Sequence, residues 1–71
     1  MSVDRHVSSS RAARRAAGYS MEQVSALSGR SVPTVRAFEL NERGVSDEVR
    51  NDLTPVYEGF RRQAETVLLR Q

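Results

Sequence analysis

The spacing of apolar residues along this chain predicts helices. From about residue 10 onward, apolar residues recur at steps of three and four, the repeat that lines one face of a helix. No segment alternates between apolar and polar residues with the period of two that is typical of a strand. The pattern therefore predicts an all-α fold, a compact bundle of about five short helices.

Residues with strong capping preferences divide this pattern into elements. Ser20 is followed three residues later by a glutamine, which is the spacing of a capping box. Gly18 and Gly29 each follow a predicted helix at the position where a left-handed residue ends it. Ser9 or Ser10 can cap the first helix. The predicted helices cover about residues 11–17, 21–28, 32–39, 47–53 and 55–69.

Apolar side chains on the second and third helices are predicted to face a core. Met21, Val24 and Leu27 recur at three-residue steps, which places them on one face of the second helix. Val35 and Phe38 face inward from the third helix. We therefore expect each helix to contribute one apolar face.

The C-terminal segment contains a proline that predicts a helix start. Thr54 followed by Pro55 gives a cap and a first-turn proline, so we expect the last helix to begin here. Its apolar stripe can pack back on the domain, form a two-fold dimer interface, or do both. The stripe residues assigned to a dimer interface are Val56, Tyr57, Phe60 and Val67.

The length of the chain favours self-association. A core built from 71 residues supplies only about 3 to 5 kcal/mol, so domains of this size rely on disulfides, metal ions or oligomerisation. The chain has no Cys and a single His, which excludes disulfides and a structural zinc site. We therefore expect a homodimer without a metal or other cofactor.

Basic residues concentrate in the first half of the chain. Residues 1–36 contain six arginines and two acids, whereas residues 37–71 contain five arginines and seven acids. A basic surface attracts phosphates, because each neutralised phosphate releases condensed counterions. A solvated surface without a partner would give the same asymmetry, so charge alone does not identify a function.

Two short predicted helices joined by a tight turn have the spacing of a helix-turn-helix. They cover residues 21–28 and 32–39. Residues 1–9 lack helical apolar periodicity and are predicted to be a flexible tail, and residues 10–71 are predicted to be one helix-turn-helix domain. In such a unit the second helix enters the DNA major groove, and the first crosses the phosphate backbone. The candidate base-reading residues are Val32, Pro33, Thr34, Arg36 and Ala37. The candidate phosphate contacts are Arg11, Arg15, Ser20, Met21, Arg30, Ser31 and Arg43.

Most of the candidate base readers are apolar. Arg36 can donate two hydrogen bonds to a guanine, and Thr34 can meet a base or a phosphate. Val32, Pro33 and Ala37 can make only apolar contacts, of which thymine methyls are the nearest match. We therefore expect few bases to be read directly, with DNA shape or flanking contacts supplying much of the specificity.

The run RRAAGYSMEQVSALSGRSVPTVRAFE, from Arg14 to Glu39, resembles the Cro and lambda-repressor type of helix-turn-helix, also called the XRE family. In that family an arginine and a glutamate at these two end positions pair, so the resemblance implies a structural ion pair between Arg14 and Glu39. Met21 departs from the glutamine that often begins the second helix, and Ser25 from the usual alanine. The other matching positions are Gly18, Ser20, Gly29, Ser31 and Val35.

This resemblance implies a dimeric transcriptional regulator. Two recognition helices related by a two-fold axis would lie about 34 Å apart and bind an inverted-repeat operator on double-stranded DNA. Lone domains of this size in the family tend to be phage or mobile-element repressors, or controllers of their own operons. Promoter occlusion is the implied mechanism, and RNA polymerase stays open as a further partner for activation.

Other classes of function are less compatible with the residues. A protein-interaction module, such as an antitoxin or anti-activator, fits the apolar Val32 and Pro33, although the basic first half argues against it. A DNA-bending excision accessory factor often carries a winged helix, for which no strand pair is predicted. We expect no enzyme and no catalytic residue, because His6 lies in the predicted tail and no serine has a plausible base nearby.

The sequence also lacks the signals of membrane insertion and export. No apolar run approaches the roughly 18 residues of a membrane span, and the N-terminus is Ser-rich where a signal peptide would be apolar. We therefore expect no membrane contact and a cytoplasmic location, in a bacterium or encoded by a phage, with association to the nucleoid when DNA is bound.

Overall fold

Four α-helices and one short 3-10 helix make up the described part of the chain. The computed structural model describes the backbone of residues 9–70 and the side chains of residues 9–66. No strand occurs among the described residues, so the predicted all-α bundle is confirmed. Residues 1–8 of the predicted tail and the side chain of Val67 lie outside this description. The elements are α1 (Ser10–Ala16), α2 (Met21–Ser28), α3 (Val32–Leu40), the 3-10 helix (Glu42–Gly44) and α4 (Asp47–Arg70).

Serine side chains cap the first three helices. Ser20 Oγ accepts from the backbone N–H of Gln23 at 3.1 Å, and Gln23 Oε1 accepts from that of Ser20 at 2.8 Å. These two bonds complete the predicted capping box. Ser31 caps α3, and Ser9, rather than the adjacent serine, caps α1 by accepting from Ala12 at 3.3 Å. The starts of these helices therefore follow from local sequence.

The turns that follow α1 and α2 both pass through a left-handed glycine. Gly18 has a φ of 84° and Gly29 has a φ of 77°, a region that side chains disfavour. Gly29 caps the C-terminus of α2, and only Arg30 and Ser31 separate it from α3. The chain thus passes from α2 to α3 in three residues.

The C-terminal part of the chain forms one long helix where we expected two. α4 continues through Pro55, so the predicted break at this proline is wrong. Proline removes one helical hydrogen bond, the one that its N–H would donate to the carbonyl of Asn51. One buried face nevertheless runs past the proline, because its residues keep steps of three and four. The buried residues of this face are Leu53, Tyr57, Phe60 and Ala64.

The core lies where α4 packs against α1, α2 and α3. The four aromatic rings of the chain form a series within it. The ring centroids of Tyr19 and Phe60 are 4.7 Å apart, those of Phe60 and Tyr57 5.3 Å, and those of Tyr57 and Phe38 5.1 Å. The largest fully buried side chains are Tyr57, Phe38, Leu53, Val24 and Val35, which confirms the predicted inward faces of Val24, Val35 and Phe38.

Two residues assigned to a dimer interface belong to this core instead. Tyr57 is 0 % exposed and Phe60 is 4 % exposed, so a second chain could not reach either side chain. Both residues therefore pack on their own domain, which was one of the two roles given for this stripe. Their assignment to a dimer interface is wrong. Val56 is partly buried against the same core.

The expectation that Leu27 shares an inward face with Met21 and Val24 is also wrong. Val24 is fully buried and Met21 packs partly against the core, but Leu27 is 60 % exposed. Each three-residue step falls about 60° short of a full helical turn, so two steps carry Leu27 about 120° from Met21. That rotation moves Leu27 off the buried face.

Candidate nucleic-acid interface

Arg14, Glu39 and Tyr57 form a polar network that joins three helices. Arg14 of α1 donates from Nε to Glu39 Oε2 at 2.5 Å and from Nη2 to Glu39 Oε1 at 3.2 Å. Tyr57 of α4 donates its hydroxyl to Glu39 Oε2, and Arg14 Nη1 donates to the backbone carbonyl of Tyr19 at 2.9 Å. The side chains of Arg14 and Glu39 are only 8 % and 4 % exposed. The ion pair implied by the family resemblance is thus present. The hydrogen bond that the Tyr57 hydroxyl adds to it was not predicted from the sequence.

This network keeps Arg14 charged and Tyr57 neutral. The hydrogen bond with Glu39, opposed by burial, raises the pKa of Arg14 above its ordinary value. Burial raises the pKa of the Tyr57 phenol above its ordinary value of 10.0, and the hydrogen bond and charge of Glu39 raise it further. Because Glu39 lies in the last turn of α3, these contacts anchor that helix to α1 and α4.

A second polar cluster ties the start of α1 to the 3-10 helix and α4. Ser10 Oγ donates to Glu42 Oε2 at 2.7 Å, and Arg61 Nη2 donates to Ser10 Oγ at 3.3 Å. Ser10 is 4 % exposed, and Arg61 Nη2 lies 4.0 Å from Glu42 Oε2. Sequence reasoning missed this cluster, because Ser10 and Arg61 are 51 positions apart and no local pattern relates them.

Arg30 forms an ion pair with Asp52. Its Nε donates to Asp52 Oδ2 at 2.8 Å, which joins the turn between α2 and α3 to α4. The side chains of Arg30 and Asp52 are 32 % and 47 % exposed. The carboxylate offsets the charge of Arg30, and the phosphate contact at Arg30 stays a prediction.

Four other arginines from the predicted DNA contacts remain exposed. Arg11 and Arg15 lie one turn apart on α1, Arg36 lies on α3, and Arg43 lies in the 3-10 helix. None of the four forms an ion pair with another residue in the described part of the chain. Like charges one turn apart repel each other, so an anion near Arg11 and Arg15 would be stabilised.

Adjoining depressions connect three of these arginines, Arg11, Arg15 and Arg36, across α1, α2 and α3. Arg11 and Arg36 line one depression together with Met21, Glu39 and Leu40. Arg36 and Leu40 also line a second depression along α3, whose other members are Val32, Pro33 and Ala37. Arg11 further lines a third depression on α1 with Arg15, Ser9, Ala12 and Ala16.

These shared members make one continuous surface, which we call the reading surface. It brings together predicted phosphate contacts from α1 and α2 and predicted base readers from α3. Arg43 in the 3-10 helix does not line any of the three depressions. The reading surface is defined by Arg11, Arg15, Met21, Val32, Pro33, Arg36, Ala37 and Leu40.

Three predicted contact residues use their hydroxyls within the fold. The hydroxyl of Ser20 belongs to the capping box of α2. Ser31 Oγ accepts from the backbone N–H of Thr34 at 3.4 Å and lies 2.9 Å from Thr34 Oγ1. Among the predicted base readers with polar side chains, Thr34 is therefore engaged within α3, whereas the Arg36 side chain forms no hydrogen bond or ion pair with another described residue.

Leu40 is a member of the reading surface that sequence reasoning missed. Its side chain is 79 % exposed at the C-terminal end of α3. The signal was present in the sequence, because Pro33, Ala37 and Leu40 follow each other at steps of four and three. They lie opposite the buried Val35 and Phe38, so α3 has apolar residues on both faces.

Comparison with known proteins finds no protein-family model, curated protein or solved structure that matches this chain. Within the described residues, no group of His, Cys, Asp and Glu side chains could hold a metal ion. None of the helices described combines the length and apolarity that are needed to cross a membrane. The charges and shape of the reading surface are therefore the features from which a function can be inferred.

Proposed function

We propose that the chain is a sequence-specific DNA-binding transcriptional regulator, with α2 and α3 as its helix-turn-helix and α3 as the helix that enters the major groove. The observation that carries this proposal is the reading surface. It combines an exposed face of α3 with arginines that have no carboxylate partner among the described residues. The resemblance of residues 14–39 to Cro-type proteins supports the same function.

The arginines of this surface suit two different parts of a duplex. Arg36 projects from α3 itself and can reach a base edge, where a guanidinium pairs with guanine O6 and N7. Arg11 and Arg15 project from the neighbouring helix α1 and suit phosphates, which position a protein without reading sequence. Arg43 is a further candidate for a phosphate at the far end of α3.

The proposed regulator acts as a homodimer on an inverted repeat. A domain with so small a core favours self-association, and two-fold symmetry sets recognition helices about 34 Å apart. Since Tyr57 and Phe60 are buried within one chain, the interface would use other residues, of which Val56 remains a candidate. Such a protein would act in the cytoplasm at the nucleoid and control its own operon by occluding the promoter, or activate it through RNA polymerase.

The test is a binding titration over a range of salt concentrations. The full chain is titrated against duplex DNA from upstream of its own gene, with random duplex as competitor. Tight binding that survives the competitor, with two chains per site, supports the proposal. Equal weak binding to both duplexes, or none, contradicts it.

Arginine variants locate the interface within that titration. Arg11→Gln should weaken binding to all sequences and reduce the slope of log affinity against log salt by about one, because one phosphate contact is lost. Arg36→Gln should instead reduce discrimination between sequences. Arg62→Gln is the matched control, since Arg62 is exposed on α4 and lines none of the three depressions. A control as weak as the two test variants would contradict the assigned surface.

One observation favours a second candidate, a protein-interaction module such as an antitoxin. The exposed Leu40 beside Val32, Pro33 and Ala37 gives α3 an apolar face that another protein could cover. The arginines at its border fit this function less well than they fit a phosphate backbone. In the same titration, absence of any duplex binding would favour this alternative.

A further inference from the structure

The exposed face of α3 can recognise little besides an apolar group and a guanine. Val32, Pro33, Ala37 and Leu40 line one depression, in which Arg36 supplies the polar atoms. Thr34 does not line this depression, and its hydroxyl lies 2.9 Å from Ser31 Oγ in the cap of α3. The surface therefore presents aliphatic carbon beside a single guanidinium.

The DNA major groove offers one apolar feature to such a surface. Each base pair there displays hydrogen-bond donors and acceptors, and a T·A pair adds the C5 methyl of thymine. Aliphatic side chains cannot pair with the donors and acceptors, so the methyl is the group that they can distinguish. Arg36 can pair with a guanine next to it.

Charge complementarity favours DNA over a protein as the occupant of this depression. Arg36 lines the apolar depression, and Arg11 lines the depression that adjoins it. Neither forms an ion pair with another residue in the described ranges. A major groove lies between two rows of phosphates, so it matches an apolar strip that is bordered by cations.

We propose that α3 selects its DNA site by pyrimidine C5 methyl groups, with Arg36 reading an adjacent guanine. This inference rests on the proposed DNA-binding function and adds to it the chemical group that is recognised. The target half-site should then carry clustered thymines beside a guanine. Because 5-methylcytosine displays the same methyl, it should replace thymine better than cytosine does.

The experiment removes single methyl groups from DNA. The full chain first selects duplexes from a randomised pool, and the recovered duplex is resynthesised with deoxyuridine in place of each thymine in turn. Deoxyuridine differs from thymidine only by the methyl. We expect affinity to fall about three- to fivefold at each contacted position, the effect of one buried methyl-sized group. Replacing a contacted thymine by 5-methylcytosine should cost less affinity than replacing it by cytosine.

A variant of the protein tests whether the named face reads the methyl. Val32→Ser should bring the ratio of affinities for thymine and deoxyuridine duplexes towards one at the position that Val32 contacts. Leu27→Ser is the matched control, since Leu27 is exposed on α2 outside the reading surface and should leave every ratio unchanged. Circular dichroism of both variants establishes that they are folded.

The possible results separate this inference from the proposed function. If no duplex is enriched from the pool, both are overturned. If a duplex is enriched but deoxyuridine binds as well as thymine throughout, the methyl inference alone is overturned. It is also overturned if Val32→Ser keeps the full methyl sensitivity, or if sedimentation without DNA shows that Val32→Ser abolishes a dimer, because a second copy would then cover this face.

Discussion

Replacing Glu39 by glutamine tests the network that anchors α3. Glu39 accepts two hydrogen bonds from Arg14 and one from Tyr57, so one carboxylate connects α1, α3 and α4. Glutamine keeps the size of the side chain but removes its charge. The Arg14 guanidinium would then be left 8 % exposed without its counter-charge.

The expected loss is large compared with the stability of so small a domain. Removing one partner of a buried ion pair costs about 3–5 kcal/mol, because the other charge stays buried. A core of this size provides about the same amount. Glu39→Gln should therefore bring the free energy of unfolding close to zero. Tyr57→Phe removes a single hydrogen bond to a charged acceptor and should cost about 1.5–3 kcal/mol.

Urea unfolding followed by circular dichroism measures the loss for Tyr57→Phe, and the dependence of its unfolding free energy on urea should stay the same, because the change does not alter the surface that unfolding exposes. For Glu39→Gln the helical signal without urea measures the loss, because about half of the chains should already be unfolded there. Glu58→Gln is the control, since Glu58 is exposed on α4 and should change stability by less than about 0.5 kcal/mol. A loss below about 1 kcal/mol for Glu39→Gln would contradict this prediction, because the pair would then contribute no more than a surface ion pair.

Three further predictions concern α4 and the glycine turn. The folded pKa of Tyr57 is raised above its ordinary value of 10.0, so its contribution to stability is present below about pH 10 and lost as pH rises further. In urea titrations at increasing pH, the unfolding free energy of Tyr57→Phe should therefore decline less steeply than that of the unchanged protein. Pro55→Ala should raise the unfolding free energy by about 1–3 kcal/mol, because alanine restores the helical N–H that bonds the carbonyl of Asn51 and Pro55 is exposed. Unchanged stability would contradict this prediction, because the missing hydrogen bond would then cost nothing. Gly29→Ala should lower the unfolding free energy by about 1–2 kcal/mol, because a side chain is disfavoured at its φ of 77°. Gly59→Ala within α4 should raise it by about 0.5–1 kcal/mol, because alanine favours a helix more than glycine does. An added Cβ meets nothing within 4 Å at either position, so the two effects come from the backbone. Equal thermal shifts for these two variants would contradict the backbone argument.

The candidate site could be predicted only in part from sequence. The exposed face of α3 and the exposed Arg11 and Arg36 follow from helix spacing and from the basic first half of the chain. Arg30 carries the same charge, yet it pairs with Asp52, 22 positions away. Which arginines have a carboxylate partner depends on how α4 crosses the other helices, and local spacing holds no information on that crossing.

Local sequence is sufficient to place the helix starts and the turns between α1, α2 and α3. Capping bonds and the left-handed conformation of glycine involve residues no more than about four positions apart, so the roles of Ser20 and Gly29 do not depend on how the helices pack. Packing between the helices, by contrast, accounts for the continuation of α4 through Pro55 and for the position of Tyr57 in the core rather than in an interface. Both outcomes depend on burying one long apolar face against three other helices, and that burial exists only once the helices have come together.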